Sequence, residues 1–558
     1  MHKIKKAITK HALANAVSHK GKAQHGAIVG KILAEFPKAK AKMKEIMPHI
    51  HKTVKDVNDM PHEKQKTELK KHWPEFFHRE KKERGLSELP GAVQGKVVTR
   101  MPPGPSKHMT VGHALSFLIN YIYAQKYSGK CVLRFEDTNP EKDNQDAIES
   151  FKDGILRYLE IKPSKTVFVS DDISKMYKEI EKLINKKQAY LCACPSSNIS
   201  KLRRKKQDCE HRKQTVKQNM DLWKKILSGK ETGYAVRLIG DMSSNNAVMR
   251  DPVIARINKT AHYRQKKKYN VWPTYDFEAS CEEEWCGITH VLRSIEFGEE
   301  RIELQKYISK LLGFKEKYYI QYGRFNVSGL EKSSGRFLQA LVAKGAGWDD
   351  PRMPTITALE RRGFVKETFY ELAKQVGLSK TPTKIDEKTI ETINRKFIDS
   401  IASRLFFLQQ PVKIHVTDAP KELHKIALHI HPDRPEKRFL DVSKTFFVDK
   451  KDLYNNIGNE IRIKSLYNAF IPRELGSIRK VIEFTSNAPK FGLPVIHWVP
   501  QNGIKVHILM KNGKIIQGLA ENNVLRLNVG SIVQFERFGF CRLDKKSANK
   551  IVFVFGHR

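Results

Sequence analysis

The sequence contains no run of about 18 uncharged apolar residues, which excludes a membrane-spanning helix. Its opening, MHKIKKAITKHALANAVSHKGKAQ, lacks the apolar centre of a secretory signal. It carries lysine where a transit peptide carries arginine and serine, so no targeting segment is read there. Cysteine is scarce and odd in number, seven in 558 residues. That argues against a disulfide framework and for a reducing, cytoplasmic setting. There is no internal repeat. Acidic residues are few, 61 against 102 Lys and Arg, for a net charge of +41. An excess of this size points to an anionic polymer as partner. The lysines are spread along the whole chain, so a basic surface of general origin is the alternative. Hydrophobic residues at 40% are sufficient for real cores and exclude a mostly disordered chain. The length predicts roughly three to five domains.

Residues 1–90 read as a polar helical region. Ala12, Ala16, Ile28, Ile32 and Leu33 recur at helical spacing, and Gly26 and Pro37 punctuate them. Residues 52–84 are mostly charged and read as a helix-rich linker anchored by Trp73, Phe76 and Phe77. The pattern changes near Leu89-Pro90-Gly91. A strand at 96–100, a Pro/Gly loop, an amphipathic helix at 114–127 and a strand at 131–135 form a βαβ unit. A parallel, doubly wound sheet is expected. Residues 91–190 are its first half, 191–287 an insertion with short strands, 288–353 its second half and 354–405 a helical junction. Short alternating strands over 406–558 predict an all-β part of one or two barrels. The fold class is therefore multidomain α/β plus all-β.

Thr110-Val111-Gly112-His113 opens the first helix of the βαβ unit. Free backbone N–H groups and the positive dipole end there suit an anion. Gly112 lets a ligand approach the backbone, and His113 can donate to a phosphate oxygen. In the insertion, Cys192-x-Cys194 and Cys209-x-His211 are separated by fourteen residues. Two close ligand pairs suit a tetrahedral structural zinc; a set of reduced, partly buried thiols is the alternative. Cys131, Cys281, Cys286 and Cys541 have no such pairing and read as core. The basic runs 201–206 (KLRRKK) and 266–268 lie in or beside the same insertion, where lysine and arginine would contact phosphates.

Four segments in order resemble the glutamyl-/glutaminyl-tRNA synthetase family of class I aminoacyl-tRNA synthetases. They are VVTRMPPGPSKHMTVGHA at 97–114, LRFEDTNP at 133–140, ITHVLR at 288–293 and GWDDPRMPT at 347–355. HALANAVSHKGKAQHGAIVGKILAEFP near the start and LHIHPDRPEKRFLDV near the end extend the resemblance to the archaeal and eukaryotic branch. It implies a class I Rossmann-type catalytic domain with an inserted acceptor-binding module, C-terminal anticodon-binding β-barrels and an N-terminal helical region. The implied activity joins an amino acid to tRNA with ATP and Mg2+. Thr110, Gly112, His113, Lys332 and Ser333 would be catalytic, and Pro103, Gly112, His113 and Lys332 would hold the nucleotide. Arg100, Glu136, Tyr275 and Arg293 would bind the amino acid. Two motifs depart from the family pattern. Thr110 replaces the first histidine of the His-Ile-Gly-His signature, and Gly329-Leu330-Glu331-Lys332-Ser333 replaces Lys-Met-Ser-Lys-Ser.

Glutamate and glutamine are nearly isosteric, so charge must separate them, and a buried guanidinium pairs well with a carboxylate and poorly with an amide. Arg293 stands where a glutaminyl enzyme would, by resemblance, carry an uncharged residue, which implies L-glutamate. The implied RNA is tRNA-Glu. Charging of tRNA-Gln for a downstream amidotransferase stays open, as do a glutaminyl enzyme and a non-catalytic tRNA-binding relative. If the charge serves RNA, raising salt from about 50 to 200 mM is expected to weaken tRNA binding by orders of magnitude in a filter-binding titration. A flat response would detach the charge from RNA.

Overall fold

The computed structural model describes residues 2–18, 21–73, 76, 86–328, 340–420, 425–431, 433–476 and 480–558. It divides into two compact units, Met1–Gly85 and Leu86–Arg558. Among the described residues no helix is long and apolar enough to cross a membrane.

The first unit packs α1 (His2–Ser18), α2 (His25–Glu35), α3 (Met43–Asn58) and α4 (His62–His72) around one core. Ile46, Ile50, Val54 and Val57 lie three or four residues apart on α3 and are fully buried against Ile8, Ala12, Ile28, Ile32 and Leu69. Such spacing gives a helix one continuous apolar stripe. The segment read as a linker from 52 onward is thus built into this bundle as far as Phe76. Buried Gln65 donates its amide N–H to the carbonyls of Val57 at 2.7 Å and Gly21 at 3.0 Å, so α4 is tied as well as packed. Phe77 lies outside the described residues.

The second unit begins with the expected βαβ. β1 (Val98–Met101), α5 (Val111–Lys126) and β2 (Lys130–Phe135) are followed by α6 (Gln145–Lys152) and β3 (Lys165–Phe168). The strands pair in parallel in the order β1-β2-β3. α5 is apolar nearly all round, with Phe117, Leu118, Ile119 and Tyr123 buried, because it is sandwiched between β1 and a later helix. The expected single apolar face holds only for a helix with one side in water. After α7 (Ile173–Asn185) the chain forms an antiparallel sheet of β4 (Ala189–Cys192), β5 (Ala235–Leu238), β6 (Val253–Ile257) and β7 (Val271–Pro273). The helices α8 (Ser196–Lys205) and α9 (Val216–Leu227) lie between β4 and β5 in the chain.

α10 (Tyr275–Trp285) leads back to β8 (His290–Ser294), α11 (Glu299–Leu312) and β9 (Tyr318–Tyr322), with β8 and β9 parallel. β8 lies against the open edge of β1, where Thr289 N–H donates to Val98 O at 3.0 Å. The chain therefore runs outward from β1 through β2 to β3, then returns to the other side of β1. Such a reversal opens a crevice at the carboxyl ends of the two central strands. β10 (Phe325–Ser328) pairs with β11 (Thr383–Asp386), and helices at Ile356–Arg361, Lys366–Val376 and Glu387–Ile398 fill the junction.

Among the described residues the C-terminal part holds two seven-stranded sheets and a separate antiparallel pair, Lys425–His429 with Lys437–Asp441. In one seven-stranded sheet, the edge strands Ser403–Leu405 and Phe407–Leu408 are a single segment interrupted at Phe406. In the other, the edges Val495–Ile496 and Trp498–Val499 are interrupted at His497. One segment pairing on both flanks removes the open edge and makes each sheet a barrel. The two interrupting rings stack on each other with centroids 4.9 Å apart, so the barrels join at their seams.

Candidate active site

The four segments singled out in the sequence converge on the crevice between β1 and β8. A cavity of about 450 Å³ is lined by Arg100, Pro103, Gly104, Thr110, Gly112, His113, Glu136, Tyr275 and Arg293, together with Phe297 and Arg324. The fourth segment sits behind it. The Trp348 ring stacks on His108 with centroids 4.0 Å apart, and Ile356 N–H donates to Met109 O at 3.0 Å. These contacts hold the loop from β1 to α5 against the junction helices.

Thr110 is the N-cap of α5, in extended backbone, so the first N–H groups of the helix face the cavity. A Cβ on Gly112 would meet nothing nearer than Thr110 Oγ1 at 3.9 Å. The protein itself leaves room for a side chain there; the space is one a ligand would use. Thr110 N–H donates to His113 Nδ1 at 3.1 Å. That bond fixes the tautomer, because an accepting Nδ1 places the ring proton on Nε2. Burial against Phe117 and Phe151, with Lys107 nearby, brings the His113 pKa down to about 4. His113 is therefore a neutral donor at pH 7. Thr110 replaces a histidine here but does the work of orienting the one that remains.

Arg100 and Arg293 project from the ends of the two central strands and are both buried. Arg100 Nη1 donates to Leu292 O at 3.0 Å, and its Nε lies 3.5 Å from Glu283 of α10. Arg293 Nη1 donates to Gln305 Oε1 at 3.0 Å, while its Nε and Nη2 find no hydrogen-bond partner among the described residues. Buried donors are rarely left unmade. Two adjacent ones on a guanidinium match the two oxygens of a carboxylate. Glu136 follows β2 and is held by Arg134 Nη2 at 2.6 Å, and its N–H donates to Pro103 O at 2.9 Å. Its carboxylate offers the cavity a site for an ammonium group. Tyr275 begins α10 and stacks on Phe297 at 5.5 Å as a wall.

A second cavity of about 790 Å³ shares Gly104, Glu136 and Tyr275 with the first and runs along the insertion past Arg203, Arg256 and Arg301. In the insertion, Cys192, Cys194, Cys209 and His211 place one ligand atom each within 4.8 Å of one another. Their close approaches run from 3.3 Å (Cys209 Sγ to His211 Nδ1) to 3.7 Å (Cys192 to Cys209). Four ligands about 2.3 Å from a common centre would stand about 3.8 Å apart, so the set fits a tetrahedral ion. In the run 201–206, Arg203 donates to Ala247 O at 2.5 Å and Lys206 to Ser243 O at 2.7 Å. Lys201, Arg204 and Lys205 are exposed.

Residues 96–400 match the catalytic domain of class I tRNA synthetases (E and Q), and residues 402–486 and 495–544 match their anti-codon binding domains. The chain belongs to the class I (E and Q) tRNA synthetase family. It is 37% identical to the glutamate--tRNA ligase of Pyrococcus furiosus, covering 100% of both chains. It is 35% identical to the corresponding ligase of Methanocaldococcus jannaschii, covering 98% of this chain and 99% of that one. Among solved structures, a glutamate tRNA ligase from Elizabethkingia meningosepticum aligns with 55% of this chain and 70% of its own at 18% identity and a TM-score of 0.39.

Of the family's site residues expected here, Lys332 and Ser333, with Glu331, lie outside the described residues; the rest line one cavity. Sequence reasoning missed the partners of the two arginines, Glu283 and Gln305. The only signal for Glu283 was the density of acids in DFEASCEEEW, unusual for a helix that the fold buries. If His113 is held as described, its ring should titrate at about pH 4 in an NMR difference spectrum against His113→Gln. A midpoint near 6.5 would mean a wet pocket and a freely rotating ring.

Proposed function

We propose that this member of the family is a glutamate–tRNA ligase. The full-length similarity to archaeal ligases supports that reading, and the unsatisfied fork of Arg293 is the observation that carries it at the level of chemistry. A glutamate whose side-chain carboxylate meets Arg293 and Arg100 can offer its ammonium to Glu136 in the same cavity. Its α-carboxylate is then free to attack the α-phosphate of ATP, with pyrophosphate leaving and glutamyl-adenylate forming. The 2′-OH of the terminal adenosine of tRNA then attacks the acyl carbon and releases AMP. No side-chain nucleophile is needed. The helix N-terminus at Gly112 and the Nε2–H of His113 donate to phosphate oxygens, and the family resemblance gives Lys332 and Ser333 the same task. Positioning and preformed charge stabilisation supply the rate. Mg2+ accompanies the nucleotide. The second cavity suits the acceptor end of the RNA.

A charging assay with purified tRNA-Glu and tRNA-Gln against both amino acids tests the reading. Glutamate is expected on tRNA-Glu. Glutamine would point to the glutaminyl rival, and tRNA binding without pyrophosphate release to a non-catalytic relative. Glutamate on tRNA-Gln would call for an amidotransferase downstream. Arg293→Gln is expected to lower glutamate kcat/KM by roughly 100-fold or more, since the substrate carboxylate loses its charged partner; an unchanged value removes Arg293 from the pocket.

Zinc is the ion that the three thiols and His211 suit best, because thiolate and imidazole ligands in a tetrahedral cage select it. It would staple β4 to the segment after α8. Elemental analysis of the purified chain is expected to find about one zinc per chain. Cys209→Ser should lose it and lower the melting temperature, whereas a metal-free wild type with unchanged melting would leave the set as reduced thiols.

A further inference from the structure

Gln305 is fully buried on α11 and stands between two charged groups. Its Oε1 accepts from Arg293 Nη1 at 3.0 Å, and its Nε2 donates to Asp276 Oδ1 at 3.0 Å. The amide can adopt no other orientation, since a guanidinium only donates and a carboxylate accepts. Asp276 is in turn bound by Arg301 Nη1 at 2.6 Å. The nearest acid in this chain of bonds is therefore already occupied by another arginine and is separated from Arg293 by a neutral group. Arg100 is treated differently, with the Glu283 carboxylate 3.5 Å from its Nε. Among the described residues Arg293 forms no ion pair; its one side-chain hydrogen bond is to Gln305, and its guanidinium lies 5.4 Å from the Phe297 and Tyr319 rings, which are neutral.

We infer that Gln305 is a specificity-determining positioning residue, holding the Arg293 fork by a neutral amide so that its full positive charge remains for the substrate carboxylate. The inference rests on the ligase reading and deepens it. A carboxylate at this position would hold the fork equally well in space while cancelling its charge, and the pocket would lose its reason to prefer an acid over its amide. An apolar residue would free the fork but keep its charge. Orientation and charge can thus be separated by substitution.

The test compares kcat/KM for glutamate and for glutamine in ATP–pyrophosphate exchange with tRNA present. The double variant Asp276→Asn with Gln305→Glu exchanges the amide and the carboxylate, conserving net charge and the bond between the pair. It moves the negative charge next to Arg293. The glutamate-to-glutamine ratio is expected to fall at least about tenfold, and Asp276→Asn alone to leave it within about twofold. Gln305→Leu is expected to raise the KM for glutamate about tenfold with the ratio held. An unmoved ratio in the double variant, a ratio that falls equally in Gln305→Leu, or an unmoved KM in Gln305→Leu would each overturn the inference while wild type still charges glutamate. A wild type inert towards glutamate would overturn the ligase reading and this inference with it.

Discussion

Two guanidinium groups buried at the carboxyl ends of adjacent parallel strands are the constraint around which the catalytic part is arranged. A charge taken out of water must find partners or the fold is penalised by several kcal/mol. Arg100 finds the Leu292 carbonyl and Glu283. Arg134, buried on β2, finds Glu136. Both acids can reach because α10 and the end of β2 flank the crevice. α10 buries Asp276, Glu278, Glu282 and Glu283 within one short helix. Burial pushes the Glu282 carboxyl up to about 7, the mark of a site where negative charge is crowded and only partly relieved by Arg134. Arg134 and Arg293 each keep two donors without a hydrogen-bond partner among the described residues, but Arg134 has the Glu136 carboxylate, whereas Arg293 has no ion pair there.

The parts farther from the crevice solve a different problem, that of open edges and small cores. The insertion gathers three sulfurs and an imidazole beside a small cluster of Tyr190, Ile199 and Leu202, apart from the larger core that Leu191, Val236, Ile254 and Trp272 of its strands build. The two barrels each close through a segment broken at one residue, and those residues stack at the junction. Charged groups surround that stack. Arg438 donates to Glu521 at 3.0 Å, and Glu536 meets both Lys464 and His497. Burial opposes ionisation of Glu536, yet His497 and Lys464 hold its carboxyl down to about 2. A junction built from a ring stack and paired charges keeps two all-β bodies in one register, which a reader of an extended RNA requires.

Much of this was legible in the residues. Alternating strands at 412–416, 445–448, 505–509 and 551–555 appear within strands of the barrels. The βαβ order from 96 to 135 appears as β1-α5-β2. The spacing of Cys192, Cys194, Cys209 and His211 foretold their meeting. These are local signals, carried by periodicity and by short-range geometry. What stayed hidden was long-range. Glu283 lies far along the chain from Arg100, and the amphipathic stripe of α3 and α4 belongs to a packed bundle although its charged face reads as a linker.

The sequence by itself determined the strand and helix periods, the position of the helix N-terminus at Thr110, the cysteine and histidine spacing and the identity of the charged residues, because each depends on neighbours within a few turns. Tertiary structure alone decided which buried charge faces which. The return of β8 to the open edge of β1 brings Arg293 into the same cavity as Arg100, and the packing of α11 on α10 puts an amide rather than a carboxylate against its fork. Periodicity tells a residue whether it is buried, but electrostatics in a low-dielectric interior depends on distances of a few ångströms, and only the folded chain sets those.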